Sequence, residues 1–195
     1  AKDHLKSVDQ TLAQVIGRYE EPPLRSRGRL FETLVRSIVG QQISAAAASS
    51  IWKRFLTEVG DVTPQRILER PTAQLKSVGL SGRKVEYIQG IAAHGDWIAD
   101  SDWQAKSDDE IHVELCALRG VGPWTADMML IFSLLRPDIL PVGDLGIVRA
   151  MERLYADGAA LISKQLYEIA EPWQPYRTVA TWYLWRSLDP EPVEY

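Results

Sequence analysis

Apolar side chains recur at a spacing near 3.6 residues along most of the chain, and this spacing predicts amphipathic helices. The first such segment carries Leu5, Val8, Leu12, Val15, Ile16 and Tyr19. The pattern breaks at "EPPLRSRG", resumes at Leu30, and is interrupted again by "GQQIS". No segment alternates apolar and polar residues in the way that predicts a strand, so the fold class that we expect is all-α.

Local signals mark where several of these helices begin. Ser44 is a candidate N-cap, and Thr63 followed by Pro64 has the chemistry of an N-cap and a first helical turn. Ser107, with Glu110 three residues later, forms the signature of a capping box. We expect short connections between the helices.

The composition favours a soluble globular protein, with 46% hydrophobic and 25% charged residues. A net charge of −4 argues against a membrane surface as partner, and it allows nucleic acid only where basic residues cluster locally. One cysteine excludes a disulfide framework, a thiolate-ligated zinc and an iron–sulfur cluster within this chain. We see no apolar run long enough for a membrane span, and we expect a cytoplasmic location.

The stretch "LRGVGPWTAD", residues 118–127, predicts a tight turn between two helices. Gly120 and Gly122 permit positive φ angles that other residues resist, and Pro123 suits the first turn of the following helix. The free amides of such a turn, beside a helix N-terminus, form a nest that binds anions such as phosphate. The alternative is a purely structural turn, which is the commoner use of a bare G-x-G.

With its surroundings, this turn resembles the helix-hairpin-helix motif of DNA-repair glycosylases. The likeness is carried by Leu115, Leu118, Gly120, Val121, Gly122, Thr125 and Ala126. The segment "LPVGD", residues 140–144, is similar to that superfamily's Gly/Pro-rich loop and aspartate, and Asp144 lies 22 residues beyond Gly122. Upstream, "IVGQQIS" and "GLSGRK" are similar to segments of its alkylpurine branch, 3-methyladenine DNA glycosylase II.

The resemblance implies a single glycosylase domain over residues 1–195, built from two helical lobes with a cleft between them. One lobe would cover about 30–134 and include the hairpin, 115–127; the other would combine about 1–29 with about 135–195. It also implies the compact form of the family, without the N-terminal β-domain of some relatives.

The resemblance assigns the catalytic role to Asp144. Cleavage of an N-glycosidic bond builds positive charge on the deoxyribose, as in an oxocarbenium-like state. A carboxylate held beside the sugar stabilises that charge, and it also orients or deprotonates the attacking water. Asp144 is expected at a helix N-terminus, and the alternative is that it serves only as an N-cap.

The residue at position 124 bears on the type of glycosylase. Bifunctional members of the superfamily carry a lysine there, which attacks the sugar and forms a Schiff base. An indole cannot do so, and Lys106 and Lys164 lie far from the motif in sequence. The resemblance therefore implies a monofunctional enzyme without lyase activity and without a required cofactor.

The resemblance assigns the base pocket to Trp124 and Trp185, because electron-rich rings attract a cationic alkylated purine. Met128 and Leu145 stand at pocket positions where some relatives carry aromatic side chains. A base inside a duplex must be rotated out before it reaches such a pocket. Ordinary core packing is the alternative for the aromatic residues.

The remaining assignments concern contacts with DNA. By position in "GQQIS", Gln42 corresponds to the wedge residue, a leucine in the best-known relatives; the alternative is that Gln41 and Gln42 stabilise the loop. Phosphate contacts are assigned to Arg83, Lys84, Arg119, Gly120, Val121, Gly122, Pro123 and Thr125. By resemblance alone, a monovalent cation (Na⁺ or K⁺) would bind the backbone carbonyls of Cys116, Leu118 and Val121.

We therefore expect a monomeric glycosylase that excises alkylated purines, such as 3-methyladenine and 7-methylguanine, from duplex DNA and leaves an abasic site. In a bacterium it would work at the nucleoid. Three alternatives stay open: a glycosylase for oxidised or deaminated bases, a non-catalytic DNA-binding module, and an unrelated helical protein whose glycine turn contacts another protein.

Overall fold

The structure is a computed structural model that describes residues 1–19 and 29–188, apart from the side chain of Ala45. Over these residues the secondary structure is helical without a strand, so the all-α prediction is confirmed. The break predicted at "EPPLRSRG" lies outside the described residues. None of the described helices combines the length and apolarity needed to span a bilayer.

The helices follow one another with short connections. In chain order they are α1 Lys2–Val8, α2 Gln10–Arg18, α3 Leu30–Gly40, α4 Ala45–Val59, α5 Pro64–Leu68, α6 Thr72–Ser77, α7 Gly82–Ala93, α8 Gly95–Asp100, α9 Asp108–Cys116, α10 Pro123–Phe132, α11 Leu145–Tyr155, α12 Ser163–Ala170 and α13 Arg177–Leu188. A 3₁₀ turn, Glu171–Trp173, precedes α13.

The chain divides into two compact units, each described by itself. The first unit contains the described residues of 1–19 and 130–188, and the second contains residues 29–129. The boundary near the middle of the chain falls between Met129 and Leu130, inside α10, whereas the sequence placed it after residue 134.

The N-terminal segment forms two helices rather than the single one that its apolar spacing predicts. Asp9 interrupts it, because the carboxylate of Asp9 caps α2 by accepting a hydrogen bond from the Leu12 amide at 2.8 Å. The other oxygen of Asp9 accepts from the Tyr155 hydroxyl and the Trp173 indole N–H, both at 2.8 Å. A short polar side chain that satisfies helical amides favours a cap over a helix interior.

Helix α13 is the central helix of the first unit. Its residues 178 and 180–186 are buried, and it packs against α11 and α2. A helix that is buried on all sides holds its side chains rigidly. This rigidity matters because Trp185 belongs to it.

The helix starts that the sequence predicts in the second unit are confirmed. Ser44 accepts from the Ala47 amide, and Thr63 accepts from the Arg66 amide with Pro64 in the first turn. Ser107 and Glu110 form the full capping box. Each cap depends on residues three apart in sequence, so the tertiary structure retains it.

Candidate functional site

The hairpin between α9 and α10 is closed by a hydrogen bond from the Val121 amide to the Leu118 carbonyl at 3.0 Å. Gly120 has φ +94, as the sequence predicts. Gly122 does not use the positive φ angle that its lack of a side chain permits. Gly122 directly precedes Pro123, whose ring disfavours the α region for the residue before it.

One side of the hairpin packs against α7. A Cβ built on Gly120 would lie 2.4 Å from the Tyr87 ring, so only glycine fits there. Arg119 pairs with Glu86, and its guanidinium lies 5.9 Å from the centre of the Tyr87 ring. Arg119 and Glu86 remain largely exposed, which leaves the arginine accessible to a ligand.

Arg83 and Lys84, the two other basic candidates for phosphate contacts, lie in different environments. Arg83 is exposed in the first turn of α7. Lys84 instead donates hydrogen bonds to the carbonyls of Val39 and Gln41, both at 2.8 Å, and its burial lowers the pKa of its ammonium group. These contacts direct two of the three donors of Lys84 to the end of α3, and its contact with phosphate stays a prediction.

The loop between α3 and α4 contains the candidate wedge. Gln42 is exposed and has φ 58, a left-handed conformation that is uncommon for a residue other than glycine. The side chain of Gln41 donates to the Gly120 carbonyl at 3.0 Å and to the Thr125 hydroxyl at 3.4 Å. The alternative role of loop stabilisation therefore applies to Gln41.

In the first unit, Asp144 is the N-cap of α11. Its Oδ1 accepts hydrogen bonds from the Ile147 amide at 2.9 Å and from the Trp185 indole N–H at 3.0 Å. The residue is only 6% exposed. The expected position at a helix N-terminus is confirmed.

Trp185 is 3% exposed; its indole donates a hydrogen bond to this carboxylate and stacks on another ring. Phe132 stacks on it with ring centres 5.7 Å apart and an interplanar angle of 14°. A Cβ at Gly146 would lie 2.9 Å from Asp144 Oδ1 and 3.3 Å from the Trp185 ring. Gly146 therefore leaves the space in which the carboxylate and the indole meet.

The other predicted pocket residues have different environments. Trp124 is half-buried at the start of α10, and Met128 is 2% exposed one turn later. Leu145 directly follows Asp144 and is 70% exposed. Met128 is a core side chain of the second unit, and Leu145 presents an apolar surface beside the carboxylate.

The indole N–H of Trp185 gives a testable prediction. Trp185→Phe keeps an aromatic ring on Phe132 and removes the donor to Asp144. We expect the rate of base excision to fall by roughly ten- to a hundred-and-fifty-fold, since a hydrogen bond to a charged group contributes about 1.5–3 kcal/mol. Trp182→Phe, on the same helix, is the matched control. Single-turnover base release checks both, and equal rates in the two variants would exclude an orienting role for Trp185.

A second titratable cluster joins the helices on either side of the hairpin. His112 Nε2 on α9 lies 3.5 Å from Asp127 Oδ1 on α10, and the Cys116 thiol lies 3.8 Å from His112 Nδ1. Burial raises the pKa of Asp127 to about 6, against an opposing effect of His112. Burial and the nearby Asp127 raise the pKa of the Cys116 thiol.

This pKa predicts how stability depends on pH. Because the folded state holds the Asp127 proton more tightly than the unfolded state, this group lowers the free energy of unfolding above pH 6, by about 2 kcal/mol with allowance for partial exposure. The penalty fades as the pH falls from 6 towards 3.8. We expect Asp127→Asn to stabilise the protein at pH 7.5 and to lose this advantage near pH 4. Urea unfolding at several pH values checks it, with exposed Asp61→Asn as control; a pH-independent difference would contradict the assignment.

The backbone oxygens assigned to a monovalent cation fit that ligand chemically. Cys116 is the last residue of α9, and the carbonyls of Leu118 and Val121 follow within the turn. Carbonyls at a helix C-terminus carry partial negative charge, and rings of neutral carbonyls suit Na⁺ or K⁺. Among the described residues, no group of three His, Cys, Asp or Glu side chains could hold a metal ion.

Sequence reasoning missed three residues: Tyr87 at the hairpin, and Phe132 and Gly146 beside Asp144. Gly146 left a signal, because a glycine in the first turn of a helix is unfavourable unless a neighbour needs the space. Tyr87 and Phe132 left no signal, since their partners lie 33 and 53 residues away in sequence.

Residues 35–175 match the HhH-GPD superfamily of base excision DNA repair proteins, and the chain belongs to this superfamily. The match excludes the alternative of an unrelated helical protein. Among individual relatives, a DNA-3-methyladenine glycosylase 1 of Schizosaccharomyces pombe is 29% identical over 96% of this chain and 86% of its own length. A DNA-3-methyladenine glycosylase of Bacillus subtilis is 32% identical over 82% of this chain and 57% of its own.

Two solved structures of 3-methyladenine glycosylases are also similar to this chain. The crystal structure of a DNA-3-methyladenine glycosidase from Bacillus halodurans has a TM-score of 0.82 and 34% identity, covering 96% of this chain and 88% of that one. A 3-methyladenine DNA glycosylase of S. pombe, solved in complex with abasic DNA, has a TM-score of 0.83 and 28% identity over 95% of both chains.

Proposed function

We propose that this protein is a monofunctional DNA glycosylase that excises alkylated purines from duplex DNA and leaves an abasic site for base-excision repair. The observation that carries the proposal is Asp144, a carboxylate held by a helix amide and by the Trp185 indole. The superfamily and the names of the relatives support the same activity.

The proposed chemistry needs little more than this carboxylate. The bond between sugar and base breaks with positive charge developing on the deoxyribose, which the negative charge of Asp144 stabilises. Asp144 also orients the water that attacks the sugar. An alkylated purine such as 3-methyladenine or 7-methylguanine already carries positive charge, so it departs without a dedicated general acid.

We propose that the base is recognised by stacking. Trp124 and Trp185 supply aromatic rings, and Met128 and Leu145 supply apolar surface. The half-buried position of Trp124 supports a contact with ligand, and so does the exposure of Leu145. For Trp185, burial under Phe132 favours an indirect role through Asp144.

The proposed DNA contacts are divided between backbone and side chains. The amides of Gly120 and Gly122 would donate to a phosphate, with Val121, Pro123 and Thr125 around it and Arg119 and Arg83 beside it. Gln42 would enter the duplex from the minor groove. The carbonyls of Cys116, Leu118 and Val121 would hold the monovalent cation, which would add positive charge near the phosphate. We propose a monomer that works in the cytoplasm, at the nucleoid in a bacterium.

The test is chromatography of the bases that the protein frees from a methylated duplex. Release of 3-methyladenine or 7-methylguanine is the expected result. Release only from duplexes with oxidised or deaminated bases would move the protein to another lesion class, and binding to abasic duplex without any release would make it a non-catalytic module.

A second assay tests the monofunctional assignment. Borohydride reduces a Schiff base between enzyme and sugar to a stable covalent adduct. With Trp124 at the position of the lyase lysine, we expect no adduct on a lesion-containing duplex. A trapped adduct would overturn the assignment.

A further inference from the structure

The loop from Gln41 to Ser44 is held in an unfavourable conformation at its tip. Gln42 has φ 58, and a left-handed conformation outside glycine persists only where the surroundings enforce it. The side chain of Gln42 is exposed, so packing of this side chain does not enforce the conformation. The restraint must therefore come from its neighbours.

The first restraint is the side chain of Gln41. Its amide nitrogen donates to the Gly120 carbonyl at 3.0 Å, inside the hairpin, and to the Thr125 hydroxyl at 3.4 Å, in the first turn of α10. These partners lie 79 and 84 residues further along the chain. One side chain thus joins the loop to both parts of the predicted phosphate site.

The second restraint is Lys84. Its ammonium donates to the Val39 and Gln41 carbonyls at 2.8 Å, where α3 ends and where partial negative charge collects. Three residues further along α7, the Tyr87 ring packs against Gly120. The start of α7 therefore contacts the loop and the hairpin at the same time.

We propose that Gln41 is a positioning residue that couples Gln42 to the hairpin. Through this coupling, Gln42 keeps a fixed position relative to the phosphate that the hairpin binds while it opens the neighbouring base pair. The proposal rests on the proposed function, because it takes Gln42 as the wedge. Opening a base pair costs a few kcal/mol, so a wedge that shifts relative to the gripped strand loses much of its effect. Lys84 supports the same loop from the other side.

The variant that tests this coupling is Gln41→Met, which keeps the length of the side chain and removes its donor. The probe is a duplex with 2-aminopurine beside a tetrahydrofuran abasic site, whose emission rises when the base unstacks. We expect Gln41→Met to reduce the emission rise at saturating protein by roughly three- to ten-fold, the range of one or two hydrogen bonds. Lys84→Met, with an unchanged salt dependence of binding, is expected to act in the same direction.

A double-mutant cycle separates positioning from a general structural effect. If Gln41 acts through Gln42, adding Gln42→Ala to Gln41→Met lowers the emission rise little further, although Gln42→Ala alone lowers it clearly. Gln74→Met, at an exposed position on α6, is the matched control and is expected to behave as wild type.

Three outcomes overturn the proposal: additive effects of the two variants, a Gln41→Met signal equal to that of Gln74→Met, or no emission rise with wild type. The readout uses bound DNA and no excision. A protein that unstacks the base through this coupling without releasing methylated purines would therefore contradict the proposed function and leave the positioning role supported.

Discussion

Asp144→Asn is expected to slow the release of 3-methyladenine by roughly a hundred- to ten-thousand-fold, the range found for groups that stabilise transition-state charge or act in acid–base catalysis. Asparagine has the same shape, and its oxygen accepts from the Ile147 amide and the Trp185 indole as the carboxylate does. The cap and the fold are therefore retained while the negative charge is lost. Single-turnover excision from a methylated duplex, with enzyme in excess, measures the effect on the bond-breaking step.

Asp157→Asn is the matched control. Asp157 is exposed in the same unit and has φ 48, a conformation that asparagine tolerates well. It removes the same charge from the protein without touching the candidate site, so we expect an unchanged rate. An Asp144→Asn rate within about three-fold of this control, less than 1 kcal/mol, would exclude Asp144 as the catalytic carboxylate.

Gly120→Ala is expected to weaken binding to duplex DNA by roughly ten- to a hundred-fold, equivalent to about 1.4–3 kcal/mol. The added methyl group would lie 2.4 Å from the Tyr87 ring, at a φ of +94 that L-residues resist. Relief requires the hairpin to move away from α7, which turns the amides of Gly120 and Gly122 away from a bound phosphate. Fluorescence anisotropy with a tetrahydrofuran duplex, at fixed ionic strength, measures the affinity.

Gly158→Ala separates backbone strain from the clash. Gly158 has φ +86, yet a Cβ there meets nothing within 4 Å. We expect this variant to lose about 1 kcal/mol of stability and to bind DNA as wild type does. Equal DNA affinities for the two alanine variants would show that the contact between Gly120 and Tyr87 does not orient the hairpin.

Much of the fold was accessible from local patterns. The capping signals at Ser44, Thr63 and Ser107 act between residues three apart, so sequence alone indicates them, and the structure confirms each. Gly120 was found because a tight turn demands a particular residue type, and Asp144 was found by the resemblance of residues 140–144 to the superfamily's loop and aspartate. Gly122 permits a positive φ angle that the structure does not use, so the glycine pattern alone did not give its conformation.

The amino-acid sequence alone was thus sufficient to predict the helical class, the turn, the carboxylate at the start of α11 and the superfamily resemblance. These features depend on residues that are neighbours along the backbone. It was not sufficient for the partners of Lys84, Gln41 and Trp185, which lie 41 to 84 residues away. A lysine beside a glycine turn has the same local pattern whether it faces phosphate or a helix end. Only packing brings donor and acceptor together, and packing directed Lys84 to α3 and the Trp185 indole to Asp144.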